Sequence, residues 1–185
     1  LANDDVASIA SQSVTVFSED FDPLINSFDL TDQDGDTNNW SISNEAAFGT
    51  SVGFSGDFAL SLSWNGSALS PNNYLTTQNA IVLPAGLTNL ELEFDSGTIE
   101  AAPFQAEQYS VYLTASNNAA TIETTTALYN ETLTVAEGFS TRTINIDALA
   151  GQTLYLSFRH HGCTDMNTLI IDNISITGTT STGIQ

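Results

Sequence analysis

Apolar and polar residues alternate with a period of two in one short segment after another of this chain, about every 10–15 residues. Alternate residues of a strand point to opposite faces, so this period is typical of strands with one buried face. In the segment LELEF, Leu90, Leu92 and Phe94 fall on one face and the two glutamates between them on the other. Glycine, proline and asparagine pairs separate the segments and indicate turns. The pattern predicts strands at residues 13–18, 58–64, 74–83, 90–96, 108–116, 127–135, 142–147, 153–159 and 168–176.

These predicted strands determine the expected fold. Nine strands in a chain of 185 residues indicate one all-β domain in which two antiparallel sheets pack face to face, a jelly-roll β-sandwich. No helix longer than two turns is predicted. The predicted boundaries are an N-terminal extension or linker at residues 1–12, the sandwich at residues 13–177 and a linker at residues 178–185.

The charge of the chain limits its partners. It has 22 acidic residues, two arginines and no lysine, which gives a formal net charge of −20. Such a surface repels nucleic acid and anionic membranes, because almost nothing on it could contact phosphate. It also repels itself unless cations neutralise part of the charge. We therefore expect no nucleic-acid partner and a requirement for cations.

Other features indicate where the protein acts. No run of 18 apolar residues is present, so we expect no insertion into a membrane. The first residues lack the basic and apolar regions of a signal peptide, and we expect a mature fragment or an excised domain of a secreted protein. Cys163 is the single cysteine and is expected to be a small buried apolar group. We expect a monomer.

Two carboxylates interrupt apolar rows. Asp172 lies between Ile170 and Ile174 at two-residue spacing, and Glu19 lies between two phenylalanines in the same way. A buried carboxylate without a partner costs several kcal/mol, and the chain offers only two arginines, so a metal is the remaining counter-charge. We predict that Glu19 and Asp172 share one cation that ties the first strand to the last. The alternative is that one or both lie at an edge of the sandwich and reach water.

A second group of acids forms a short loop. Asp32, Asp34 and Asp36 alternate around a glycine, which places several oxygens on one concave turn and suits a hard cation with 6–8 oxygen ligands. The loop is not an EF-hand, because Thr37 and Ser43 stand where that motif needs glycine and glutamate. We predict calcium here, the alternative being an acidic turn without a ligand.

Two features are typical of enzymes but lack the required setting. The sequence GTSVG at residues 49–53 matches the nucleophile elbow around Ser51, yet no strand precedes it and no helix follows it in the predicted fold. His160 and His161 are adjacent and would point to opposite faces of a strand, with no third ligand at zinc spacing. We expect no catalysis. Paired carboxylates for glycan hydrolysis remain an alternative.

Several segments taken together resemble the cleaved adhesin domains, also described as choice-of-anchor J domains, which are haemagglutinin-adhesin-like modules of secreted bacterial proteins. The matching segments are FSEDFD (17–22), DQDGDTNNW (32–40), LSPNNYLTTQ (69–78), LPAGLTNLELEF (83–94), AEQYSVYLTAS (106–116), LYNETLT (128–134) and FRHHGCTDMNTLIIDNISI (158–176). The chain departs from the family's usual pattern at Gln108, Asn167 and Thr168, which puts the identity of its ligand in doubt.

This resemblance implies a jelly-roll sandwich with structural calcium, no catalysis and a role in adhesion. The metal ligands that it implies are Glu19, Asp22, Asp32, Asp34, Asp36 and Asp172. We therefore expect a calcium-stabilised extracellular or cell-surface module that binds a glycan or a host or surface protein, within a larger bacterial protein. The alternatives are a glycan-cleaving hydrolase and a purely structural spacer for an attached enzyme.

Exposed aromatic side chains are the candidate sugar platforms, because aromatic rings stack on the apolar faces of sugars. The candidates are Trp64, Tyr74, Tyr112 and Tyr155. The alternative for each ring is ordinary packing in the core or on the surface.

Overall fold

The structure is a computed structural model that describes residues 10–24, 27–48 and 56–182. Within these ranges the chain forms twelve strands and three short helical segments. The strands are β1 (Ala10–Glu19), β2 (Phe28–Asp32), β3 (Ser41–Asn44), β4 (Asp57–Leu62), β5 (Asn73–Thr77), β6 (Ile81–Val82), β7 (Thr88–Thr98), β8 (Gln108–Thr114), β9 (Tyr129–Thr132), β10 (Gly138–Asn145), β11 (Thr153–His160) and β12 (Thr168–Thr182). The helical segments are α1 (Glu45–Phe48), α2 (Ala119–Ile122) and a 3₁₀ turn (Asp147–Leu149). None of the helices described is long and apolar enough to cross a membrane.

The described strands form two antiparallel sheets. The first sheet has the order β10-β7-β12-β4-β3, with β1 also paired to β12. The second sheet has the order β2-β5-β11-β8-β9, with β6 also paired to β11. The predicted all-β jelly-roll sandwich is confirmed.

The core between the sheets follows the alternation in the sequence. Leu90, Leu92 and Phe94 of β7 are buried, whereas the glutamates between them are exposed. The Phe94 ring meets the Phe158 ring of the opposite sheet edge-to-face, with centroids 5.0 Å apart. Each such fully buried side chain contributes about 1.5–3 kcal/mol, so these rows hold the two layers together.

Two strands, β2 and β3, flank the acidic loop and are not among the strands predicted from alternation, and both lie at sheet edges. β2 and β3 are the end strands of their sheets. In β2 the only buried residue is Phe28. An edge strand that buries so little has no need of an apolar row, so alternation does not reveal it. The predicted strand at residues 74–83 is divided into β5 and β6.

The first and last strands extend past the predicted domain boundaries. Residues 10–12 pair with residues 180–182 as the ladder between β1 and β12 continues. These residues were expected in the N-terminal extension and in the C-terminal linker. Residues 1–9 and 183–185 of those two segments lie outside the described residues.

The strand β12 changes partners on one of its edges. Residues 168–171 pair with β4, and from Ile174 onward the strand pairs with β1, while β7 pairs with both halves on the other edge. Asp172 and Asn173 lie at this break, where Asn173 has a φ of 49° and the register with β7 shifts. A bulge of this kind interrupts the alternation of faces. Ile171 before it and Ile174 after it therefore both face the core.

Candidate functional site

Asp172 lies on the outer face of the first sheet. Ile170, two residues before it, packs with Phe58 in a cluster separate from the main core. On β7, the residue that pairs with Asp172 is Asp95, whose side chain points to the same face as that of the exposed Glu93. The prediction that Asp172 points into the sandwich is wrong, because the bulge after this residue breaks the alternation. The side chain is nevertheless only 1% exposed.

No ion pair within the described residues balances the Asp172 carboxylate. Its Oδ1 accepts the backbone N–H of Asn173 at 2.7 Å, whereas Oδ2 is buried and has no hydrogen-bond partner within residues 10–24, 27–48 and 56–182. Burial, together with the negative charges of Asp95, Asp22 and Asp20, raises the pKa of Asp172 from 3.8 to about 7. A buried oxygen without a donor, close to three further carboxylates, is an environment that a cation would stabilise.

The carboxylates around Asp172 are held by neighbouring donors. Asp95 accepts hydrogen bonds from the Thr141 hydroxyl at 2.6 Å and from the Asn173 side-chain amide at 2.9 Å. Asp22 accepts the backbone N–H of Asp57, the first residue of β4, at 2.7 Å. We call Asp20, Asp22, Asp95 and Asp172 the Asp172 site.

A glycine closes one side of the Asp172 site. A Cβ on Gly56 would lie 2.5 Å from Oδ2 of Asp22, and Gly56 has a φ of +83°. Both facts require glycine at this position, because only glycine adopts this backbone conformation without strain and leaves room for the carboxylate.

Two of the four aspartates of the Asp172 site, Asp22 and Asp172, were predicted from the sequence. Asp20 could have been suspected from the density of acids in SEDFD, residues 18–22. Asp95 gave no such signal, because it follows Glu91 and Glu93 at two-residue spacing and looks like a third surface acid. Only the order of the strands, with β12 beside β7, brings Asp95 to Asp172.

Glu19 lies at the edge of the sandwich. Its side chain is half-buried, and its two oxygens accept the backbone N–H groups of Phe21 at 2.9 Å and Ser27 at 2.6 Å. Glu19 also lines an open surface pocket with Asp20 and Asp22. The residue therefore shapes the loop that carries two acids of the Asp172 site. That Glu19 shares a cation with the last strand stays a prediction.

The acidic loop brings its three aspartates together. Oxygens of Asp32, Asp34 and Asp36 lie within 4.8 Å of one another. Asp32 accepts the backbone N–H groups of Gly35 at 2.6 Å and Thr37 at 2.9 Å, which closes the turn. A carboxylate oxygen has a second lone pair, so these bonds leave room for a cation.

Both arginines are engaged with glutamates elsewhere in the molecule. Arg142 donates to both oxygens of Glu131, at 2.7 and 2.6 Å, and helps to lower the pKa of that carboxyl although burial opposes this. Arg159 forms an ion pair with Glu123 and lies over the Tyr74 ring at 5.4 Å. Both arginines are therefore paired away from Asp172.

Two of the four proposed sugar platforms are buried. Tyr74 is 0% and Tyr112 is 4% exposed, and both pack with Ala119 and Ile122 of α2. The prediction that these two rings stack on a ligand is wrong, because a helical turn that the alternation does not reveal covers this face of the second sheet. Tyr155 is half-buried, and its role as a platform stays a prediction.

Trp64 is exposed and belongs to an aromatic pocket. Trp64 is 43% and Phe104 is 47% exposed, and they line one pocket with Glu100, Asp165 and Asn167. Two accessible rings beside polar side chains offer both apolar surface and hydrogen-bonding groups. Phe104 was not predicted from the sequence, because it lies in an irregular segment between β7 and β8.

The GTSVG segment around Ser51, which matches the nucleophile elbow, lies outside the described residues.

Comparison with known proteins agrees with this architecture. The family model of the Cleaved Adhesin Domain matches residues 13–176. Hemagglutinin A of Porphyromonas gingivalis is 33% identical over 93% of this chain. The crystal structure of the K3 cleaved adhesin domain of Lys-gingipain from the same organism superposes with a TM-score of 0.69 and 29% identity, covering 90% of this chain and 99% of that one. The structure of TmCBM61 in complex with β-1,4-galactotriose has a TM-score of 0.53 at 9% identity, which shows a likeness of fold alone, over 85% of this chain and 89% of that one.

The matched region is a small part of its curated relatives. It spans 9% of Hemagglutinin A and, at 30% identity over 88% of this chain, 10% of a Lys-gingipain. These relatives confirm the predicted secreted or surface-displayed location. Because the family model covers residues 13–176 and the jelly-roll sandwich is present, the chain belongs to the cleaved adhesin domain family.

Proposed function

We propose that this domain is a non-catalytic adhesion module stabilised by calcium, and that it binds a glycan through its aromatic pocket. The observation that carries the calcium proposal is the buried Oδ2 of Asp172, which meets no hydrogen-bond donor in the part of the chain that the structure describes and lies near three other carboxylates. An adhesion role follows from the family. Stabilisation by calcium and binding of a glycan go beyond what the family shows and are the parts that we propose.

Calcium fits the donors of both acidic sites. The Asp172 site and the loop of Asp32, Asp34 and Asp36 offer carboxylate oxygens, and calcium takes six to eight oxygen ligands in flexible geometry. Magnesium demands octahedral geometry and keeps its water, so we expect it to bind more weakly. Calcium at the Asp172 site would join the loop after β1 to β7 and β12.

Thermal unfolding tests the calcium proposal directly. Protein stripped with chelator is titrated with calcium chloride, and the melting temperature is followed. A calcium concentration a hundredfold above Kd adds about 2.7 kcal/mol, which raises the melting temperature of a domain of this size by about 5–11 °C. Equal melting temperatures in chelator and in excess calcium would refute calcium stabilisation.

The aromatic pocket is the proposed ligand site. The loop that carries Asp165 and Asn167 is fixed to Ser63, directly after β4, because the N–H of Asn167 donates to the Ser63 hydroxyl at 3.0 Å and the N–H of Ser63 donates to the Asn167 carbonyl at 2.9 Å. The polar groups beside Trp64 are thus held in place before a ligand arrives, which lowers the entropic cost of binding.

Glycan arrays test this second step. We expect binding by the parent in calcium and loss of binding by Trp64→Ala and Phe104→Ala. Val82→Ala is the control, because Val82 is 62% exposed and lies on β6, outside the pocket. If both aromatic variants bind like the parent, the pocket is not the ligand site.

The remaining functions give different results in the same experiments. A hydrolase would turn over the glycans to which it binds, whereas an adhesion module binds them without cleavage. A structural spacer would respond to calcium but bind neither glycans nor host or surface proteins. Because the chain matches about a tenth of its curated relatives, the partner of the full protein is part of this proposal.

A further inference from the structure

Three side chains with different donor atoms meet in the described part of the chain, away from both acidic sites. His160 is the last residue of β11, Cys163 follows it in the next loop, and Glu107 directly precedes β8. His160 Nε2 lies 2.8 Å from Glu107 Oε2, and Cys163 Sγ lies 3.0 Å from the same oxygen and 3.2 Å from Nε2. Sequence spacing hides this set, since Glu107 is more than fifty residues from the other two.

The arrangement of the three atoms distinguishes ligands from a catalytic triad. In a nucleophile triad the carboxylate holds the ring nitrogen that faces away from the nucleophile. Here Glu107 and Cys163 both contact Nε2 of His160, so the three donor atoms converge on one point.

The surroundings hold each side chain in this position. Glu107 and His160 are 0% exposed. The Ser63 hydroxyl donates to Glu107 Oε1 at 2.8 Å, and the Ser61 hydroxyl lies 2.8 Å from Nδ1 of His160. Fixing the outer nitrogen of a histidine in this way orients it as a metal ligand.

We propose that Cys163 Sγ, His160 Nε2 and Glu107 Oε2 bind Zn²⁺. Zinc accepts thiolate, imidazole and carboxylate donors together, whereas calcium and magnesium select oxygen. The thiol proton passes to solvent on binding, and the imidazole proton resides on Nδ1, where the Ser61 hydroxyl accepts it. Two anionic ligands balance the charge of the ion.

The cluster needs little rearrangement to bind the ion. Tetrahedral zinc with bonds of about 2.0–2.3 Å separates its ligand atoms by about 3.2–3.6 Å, so the present atoms must move apart by about 0.5 Å. The half-buried Cys163 lines a surface groove with Ala106 and Met166, which gives the ion a path to the buried donors. Water from the groove takes the fourth position. The bound ion would clamp the loop after β11 onto the start of β8.

Cobalt and zinc titrations of the intact domain test the site. We expect Co²⁺ to give thiolate-to-metal charge transfer in the near ultraviolet and tetrahedral bands in the visible. We expect Zn²⁺ to displace the cobalt at one equivalent and excess Ca²⁺ to leave the spectrum unchanged. Cys163→Ser should abolish the charge-transfer band, and Ser61→Ala should weaken zinc binding about 10–100-fold.

His161→Gln is the matched control, because His161 is adjacent to His160 but contacts the Ser110 hydroxyl instead of the cluster. This variant should keep the parent's cobalt spectrum and zinc affinity. A parent without thiolate charge transfer, or a Cys163→Ser variant that binds zinc like the parent, would overturn the proposal. If a variant fails to fold, the parent still decides: zinc must slow modification of Cys163 by a thiol reagent, and an unchanged rate overturns the site.

Discussion

Replacing Asp172 by asparagine isolates the energy stored at the Asp172 site. The pKa of Asp172 is about 7 in the folded chain, against 3.8 for an ordinary aspartate. A carboxyl with a raised pKa binds its proton more tightly in the folded state, so its contribution to stability is complete below about pH 4 and is lost as pH rises to about 7. The difference corresponds to about 4 kcal/mol, or about 8–16 °C in melting temperature for a domain of this size.

In chelator, the parent should lose this stability between about pH 4 and pH 7, and Asp172→Asn should not, so the variant is the more stable of the two at pH 8. In calcium the order should reverse, because the cation keeps Asp172 ionised and the variant loses a ligand.

The assay is thermal unfolding of parent and variant from pH 4 to pH 8, in chelator and in calcium. Because other groups titrate in both proteins, the informative quantity is the difference in melting temperature between parent and variant at each pH. Asp29→Asn is the control, because Asp29 is an exposed acid of β2 and should follow the parent throughout. Identical pH profiles of parent and Asp172→Asn in chelator would refute the reasoning, whatever calcium does.

Three further predictions concern the same ions. Asp34→Ala or Asp36→Ala should lower the melting temperature in calcium and reduce the increase in melting temperature that calcium causes. The part of that increase that comes from the Asp172 site should remain. If both variants melt like the parent, the loop is an ordinary acidic turn. Gly56→Ala should destabilise the fold by about 1–3 kcal/mol and weaken calcium binding in calorimetric titration, because its Cβ would displace Asp22, and parent-like affinity would contradict this. Magnesium should restore less of the melting temperature lost in chelator than calcium does, and equal recovery would argue against an oxygen site of flexible geometry.

The sequence predicts the parts of the fold that burial dictates. The alternation in β7 identifies the buried face, because three apolar side chains must leave water together. The same reasoning cannot detect β2, which exists through backbone pairing with β5 while most of its side chains stay in solvent. Nor can it detect that α2 covers Tyr74 and Tyr112, because a single helical turn has too few residues for a period.

The Asp172 site shows where alternation misleads. Its neighbours Ile170 and Ile174 are both buried, which supports the simple expectation, yet the two side chains lie on opposite faces of the sheet. The bulge between them includes Asn173, whose backbone is in the left-handed conformation. Burial of Asp172 is therefore predictable from its neighbours, whereas its direction and its contacts with Asp95 depend on a bulge and on the strand order.

The buried and half-buried acids of this lysine-free chain differ in what balances them, and this difference separates the proposed ions. The Arg142 guanidinium donates two hydrogen bonds to Glu131 and balances its charge, so Glu131 needs no metal. At Oε2, Glu107 meets an imidazole and a thiol, which are the donors that zinc accepts beside a carboxylate. Asp172 has other carboxylates near it, which suit a hard cation. Calcium removal should therefore act on Asp172 and leave the Glu107 cluster unchanged, and a cobalt spectrum that disappears when calcium is added would show that this separation is wrong.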